Sequence, residues 1–272
     1  MRIFDCFAFF NELDLLEIRL NELDSVVDKF VLVESTKSFQ KKPKPLYFNE
    51  NKERFKKFLP KIEHVIVDHF PTFFYRWRIP RAWEYDDHQK NQVAIALKKC
   101  KAEKDDVIIY SDLDEIPNPV KILEYKDMPG FKIFEQKHFY YFLNCVEIEP
   151  SDPTKYKFWY GSVMGFYRDF KNVYKFRLQR DRDLFPKNIV IPNSGWHFAY
   201  LGGVERIIQK IESYAHTEHN VDSFKDPERI RKIIESCQSL YDTDMKCKFE
   251  EIDSSFPKYL VENKSSFLQH IK

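Results

Sequence analysis

Asp112-Leu113-Asp114-Glu115 follows directly on the apolar run Val107-Ile108-Ile109-Tyr110. Carboxylates at the end of a buried strand are costly to place unless a cation or a substrate uses them. In a strand, residues two apart point to the same face, so Asp112 and Asp114 would both reach one hard divalent ion, and that ion could hold a diphosphate. The competing role is to cap the turn into Ile116-Pro117-Asn118-Pro119, since Asp is frequent in turns and Pro ends strands. Position favours a site, because open α/β sheets bind ligands beyond the carboxyl ends of their strands.

A second signal is Ser194-Gly195-Trp196-His197-Phe198, after the strand-like Ile189-Val190-Ile191. His197 would add a nitrogen to an ion held by Asp112 and Asp114, and Mn²⁺ accepts both donor types. A packed core histidine is the alternative. His216 and His219, three apart, share one face of a helix with no third ligand in view, as surface histidines at a helix end do. Glu34, ending an apolar run, can accept hydrogen bonds from a ribose or base, or cap the turn at Ser35-Thr36. Gln89 and Asn91 carry no meaning in isolation.

These groups need elements to position them. Arg2 to Phe10 is strand-like, Leu13, Leu16, Ile18, Leu20 and Leu23 have helical spacing, and Phe30-Val31-Leu32-Val33 is a buried-strand run. A short charged helix over 49–59, a strand over 62–67, an aromatic loop over 71–80 and a long amphipathic helix over 81–101 lead to the strand at 107–110. This alternation predicts a mostly parallel, doubly wound half. From Phe131 the pattern becomes aromatic and β-like at 131–134, 138–142, 156–160 and 173–178, which predicts a mixed or antiparallel extension that sets acceptor specificity. Helices return after Gly202, and Asp226-Pro227 reads as an N-cap with Pro at the first helical position of a helix over 227–240. The expected organisation is one α/β domain over 1–272: a nucleotide-binding half to 117, an acceptor-side region over 118–200 and a helical region over 201–272.

Composition bounds the class. The 272 residues are 43% apolar and 17% aromatic, a folded chain rather than a disordered one. Lys plus Arg (44) nearly cancels Asp plus Glu (43), which lacks the excess a nucleic-acid binder carries. A local basic patch, Lys41-Lys42-Pro43-Lys44, can serve a phosphate or simply be solvated. Five dispersed cysteines make no disulfide framework and fit buried free thiols in a reducing compartment. No stretch approaches the ~18 apolar residues of a membrane span, and the first residues lack signal-peptide organisation. A soluble, cytoplasmic protein is expected.

The residues resemble glycosyltransferase family 17, the family that includes the enzyme adding bisecting N-acetylglucosamine to N-glycans. The likeness runs through Asp5 to Leu20, Asp28 to Glu34, Lys42 to Leu46, Trp83-Glu84 with Gln89 and Asn91, Ser111 to Pro117, Gly195 to Phe198 and Tyr214 to Glu218. It implies a GT-A fold and metal-dependent, inverting transfer from a UDP-sugar, with N-acetylglucosamine as the sugar, to a glycan hydroxyl. It further implies Mn²⁺ or Mg²⁺ at Asp112, Asp114 and His197, and donor contacts from Phe9, Asn11, Glu12, Glu34, Gln89, Asn91, Ser111, Asp112 and Glu115. A carboxylate must take the acceptor's proton; Glu205 and Asp183 are the candidates, with surface pairing to Arg206 or Arg182 as the alternative fate. The matching block begins at residue 5, which leads to the expectation of a soluble microbial or viral enzyme without an anchor or stem.

Three other readings compete. The donor could be another nucleotide sugar. A sugar-phosphate nucleotidyltransferase would need a Gly-rich N-terminal phosphate loop, and Asp5 to Glu12 holds no Gly. A non-catalytic carbohydrate-binding protein would stack sugars on Phe73, Phe74, Tyr75, Trp77 and Trp159.

Overall fold

The computed structural model describes residues 1–70, 81–241 and 244–272. Its centre is a parallel half-sheet in the order β3 (Ile62–Val67), β2 (Lys29–Ser35), β1 (Ile3–Phe9), β4 (Val107–Tyr110). Alternation along the three inner strands divides their side chains between two cores. Ile3, Phe7, Phe9, Phe30, Leu32, Val107 and Ile109 enter one core; Phe4, Cys6, Val31, Val33, Ile108 and Tyr110 enter the other. Both faces are covered, so these strands read as continuous apolar runs. Helix α1 (Leu13–Leu23) covers the first face with Leu15, Leu16, Ile18, Leu20 and Leu23. After the one-turn α2 (Tyr47–Glu50), α3 (Ala82–Lys99) covers the second face with Val93, Ala96 and Leu97.

Beyond β4 the sheet turns mixed, as expected. The short β5 (Glu115–Pro117) and α4 (Pro119–Tyr125), capped by Asn118, lead into β6 (Lys132–Tyr140), β7 (Cys145–Glu149), β8 (Asp152–Tyr156) and β9 (Phe158–Phe166). Strand β9 lies antiparallel between β4 and β6 and so joins the two halves, and β7 pairs with β6 and β8. Two later strands, β10 (Ile189–Ile191) and β11 (Gly195–Ala199), run parallel to β6, and β11 also pairs antiparallel with β5.

Segment 173–178 corrects the β expectation. It forms α5 (Val173–Arg177), because Oδ1 of Asn172 accepts the Lys175 amide and begins a helix, while Val173 and Phe176 pack into the second core. The segment 49–59 is also broken, into the end of α2 and a 3₁₀ turn over Lys52–Phe55.

The last third forms its own small core around Tyr141, Ile207, Ile211, Ile230, Ile233, Leu240 and Met245. It is built from α6 (Gly203–Ile211), α7 (Asp222–Lys225), α8 (Pro227–Ser236) and β12 (Lys246–Phe249), which pairs with β7. Asp226 caps α8 through the Arg229 amide at 2.6 Å with Pro at its first turn, as the sequence predicts, although α8 ends at Ser236 rather than 240. The tail forms α9 (Lys258–Glu262) and packs through Phe256, Leu260 and Phe267. All five cysteines are free thiols, with Cys145 Sγ 3.0 Å from Cys237 Sγ. No helix among the described residues is long and apolar enough to cross a membrane.

Candidate active site

Asp112 and Asp114 do not lie in a strand. Strand β4 stops at Tyr110 and the chain turns through 111–114 into β5, because β5 must pair with β11. That pairing sets His197 opposite Glu115, and the Phe198 amide donates to the Asp114 carbonyl at 2.9 Å. Two motifs eighty residues apart thus become neighbours.

The turn is held from below by Arg19, a wholly buried arginine on α1. Its Nε and Nη2 donate to the carboxylate of Asp5 on β1, at 2.8 and 2.6 Å. Nη1 donates to the carbonyls of Asp112, Leu113 and Glu115, and Nη2 also to Oγ of Ser111. A buried ion pair contributes little net stability, but here it uses its remaining donors to shape a loop.

Glu115 holds the turn from within. Its Oε2 accepts the Asp112 amide at 2.8 Å, its Oε1 accepts Trp159 Nε1 at 2.7 Å, and Arg177 and Arg180 stand 3.4 and 3.6 Å away. Gly161 on β9 makes room for it: a Cβ there would come 2.3 Å from the Glu115 carboxyl carbon.

Above the turn lies a cleft of about 800 Å³, a size suited to a nucleotide-bearing ligand. Arg177, on α5, forks onto both oxygens of Asp112, and Lys90 on α3 stands 3.7 Å from the same carboxylate. Asp114 faces Lys210 of α6 at 3.2 Å and His197 Nε2 at 3.7 Å. Burial acts to raise both carboxyl pKa values, but the Arg177 and Lys90 charges hold Asp112 well below the usual range, and Lys210 with His197 does the same for Asp114. Both aspartates are therefore anionic. An aromatic wall completes the cleft: His138 stacks on His197 with ring centres 4.5 Å apart, and Trp159 packs against both. Nδ1 of His138 is held by Glu147 at 2.8 Å, and burial, then the His197 charge, lowers its pKa to about 4.

The donor types suit a divalent ion, although Asp112, Asp114 and His197 do not bring three ligand atoms within 4.8 Å of one another in this arrangement. Asp112 and Asp114 are hard oxygen donors. The 3.7 Å between Asp114 Oδ1 and His197 Nε2 is too long for a hydrogen bond and within the span of two ligands on one ion. Nδ1 of His197 is buried without a partner among the described residues, so neither ring nitrogen is committed to a hydrogen bond. Protein cations occupy both carboxylates in this arrangement.

The structure brings Phe9, Glu12, Gln89, Asn91, Asp112, Asp114, Glu115 and His197 to the cleft. It places others elsewhere. Glu34 is fully buried and gives its oxygens to the Phe48 amide and His64, so it acts within the core. Ser111 is buried beneath Arg19. Asn11 donates to Gln209 in an adjoining pocket. Glu205 and Asp183 are exposed and line no part of the cleft. Trp159 lines the cleft, whereas Phe73, Phe74, Tyr75 and Trp77 lie outside the described residues. Arg177, Arg180, Lys90 and Lys210 were not legible as site residues. Arg19 had a signal, a charge on the apolar stripe between Leu16 and Leu23.

An α/β sheet with an acidic turn beyond its central strand and a cation-lined cleft is an arrangement suited to phosphorylated ligands, and comparison with known proteins gives the class. The profile of glycosyltransferase family 17 matches residues 1–268, and the chain belongs to this family of glycosyltransferases. It is similar to the β-1,4-mannosyl-glycoprotein 4-β-N-acetylglucosaminyltransferases of Rattus norvegicus and Homo sapiens, each 33% identical over 121 residues. The matched stretch is 43% of this chain and 22% of each relative, so the match spans about a fifth of their length. An inositol-1-phosphate CTP transferase from T. maritima aligns over 100% of this chain and 98% of its own at 11% identity, with a TM-score of 0.37, too low to bear on the fold.

Proposed function

We propose that this glycosyltransferase has the GT-A fold and moves N-acetylglucosamine, with inversion, from a UDP-sugar to a glycan hydroxyl in a metal-dependent reaction. The observation that carries the reading is the Asp112-x-Asp114 turn beyond β4, with His197 Nε2 3.7 Å from Asp114 at the cleft. The names of the mammalian relatives supply the sugar and the class of acceptor.

Asp112, Asp114 and His197 would hold Mn²⁺ or Mg²⁺, which neutralises charge on the departing diphosphate when bound. The chain's own contribution is electrostatic and positional. Arg177, Arg180, Lys90 and Lys210 surround the two aspartates with fixed positive charge that a diphosphate can share. Glu115 and Arg19 hold the turn still, and the His138, His197 and Trp159 wall offers flat rings to a sugar. Glu12 and Asp87 are cleft carboxylates with no ion pair among the described residues, which makes them the candidates for taking the acceptor's proton in place of the distant Glu205 and Asp183.

A screen of UDP-, GDP- and TDP-sugars for slow metal-dependent hydrolysis tests the reading without needing the acceptor. UDP-N-acetylglucosamine is expected to be turned over fastest. Turnover of a different nucleotide sugar would replace the donor, and sugar binding with no turnover of any donor would favour a carbohydrate-binding protein.

A further inference from the structure

His216 and His219 show no third ligand in the sequence, yet the fold supplies one. The 3₁₀ turn Thr217–His219 sets the Glu218 carboxylate against His216 and within reach of His219. Oε1 of Glu218 is 2.7 Å from His216 Nδ1 and 4.0 Å from His219 Nε2, and the three ligand atoms all lie within 4.8 Å of one another.

The rings are held in place by neighbours outside the trio. His216 sets against the Trp83 ring at 4.7 Å; His219 stacks on Tyr241 at 4.2 Å and meets the edge of Phe224 at 5.3 Å. Tyr214 packs on both histidines. Imidazoles fixed by aromatic contacts lose little freedom on taking a ligand. Their exposed side, with His216 lining the rim of the main cleft, leaves room for water or a ligand on a bound ion.

We propose that His216, Glu218 and His219 form a second metal site, selective for Zn²⁺ and related borderline ions, at the mouth of the cleft. Two imidazoles and one carboxylate make a softer set than Asp112 and Asp114, and three protein ligands leave at least one coordination position open. The site stands on its own geometry and does not depend on the role given to the aspartates. The two sites are therefore separable by metal and by mutation.

Zinc titration of the full chain by calorimetry, with Trp fluorescence following Trp83 beside His216, tests this. The wild type is expected to bind one Zn²⁺ per chain at this site; His219→Gln and Glu218→Gln each weaken it by more than about tenfold, while His219→Cys retains it and Asp114→Asn leaves it unchanged. X-ray absorption of the zinc-loaded wild type is expected to show two imidazoles, a readout that needs no variant. No saturable zinc binding, or zinc binding that survives His219→Gln and is lost in Asp114→Asn, would overturn the proposal.

Discussion

Arg177 grips Asp112 through both terminal nitrogens, although 65 residues and a change of sheet direction separate them. The guanidinium holds the place that an incoming cation would take on that carboxylate. Replacing Arg177 with Ala is expected to tighten Mn²⁺ binding in the absence of nucleotide, because a competing cation is gone. The same change should weaken UDP binding and lower donor hydrolysis by about 100-fold, the scale for removing one fixed charge from a transferring group. Calorimetry with Mn²⁺ and UDP separately reads the two effects; losses in both would mean that Arg177 only supports the fold.

Arg19 spans α1, β1 and the acidic turn while fully buried. Arg19→Met leaves Asp5 charged in the core and takes one donor from each of the Asp112, Leu113 and Glu115 carbonyls. The expected cost is about 3–5 kcal/mol of stability, read as a lower denaturation midpoint. A variant as stable as the wild type would show that the pair is dispensable.

Gly161→Ala places a methyl group 2.3 Å from the Glu115 carboxyl carbon and 2.5 Å from Trp159 Nε1. Overpacking of this kind costs about 1–3 kcal/mol, and Glu115 would be pushed off the Asp112 amide. The chain should still fold, with UDP binding lost. Unchanged UDP affinity would show that the turn does not need Glu115.

His138 gives a pH signature. Its pKa falls from an ordinary 6.5 to about 4 in the fold, through burial first and the neighbouring His197 charge second. Between those values the unfolded chain holds the proton and the folded chain does not, so stability is full above about pH 6.5 and is lost as pH falls toward 4. The contribution is on the order of 3 kcal/mol. Melting temperatures across this range should fall less steeply in His138→Gln; parallel curves would contradict the assignment.

The parallel half was legible because β1, β2 and β4 are buried on both faces and α1 has an apolar stripe interrupted only by Arg19 and Glu22, so local periodicity carries the answer. The acidic turn was recognised but placed in a strand, since the β5 and β11 pairing that bends it is non-local. Val173, Tyr174 and Phe176 favour a strand by type, and the Asn172 cap and core packing override that preference. Lys210 looked like any polar residue on an amphipathic helix; only the packing of α6 beside the turn brings it to Asp114. Glu34 misled because a carboxylate ending a strand looks the same whether it meets a ligand or, as here, the Phe48 amide and His64.

Under the proposed function, Asp112 and Asp114 join a divalent ion to a nucleotide diphosphate in the cleft. Calorimetric titration of UDP with and without Mn²⁺, on the wild type and on Asp114→Asn, tests it most directly. UDP is expected to bind the wild type only when Mn²⁺ is present and not to bind the variant. Equal UDP affinity without the ion, or binding unchanged by Asp114→Asn, would contradict it.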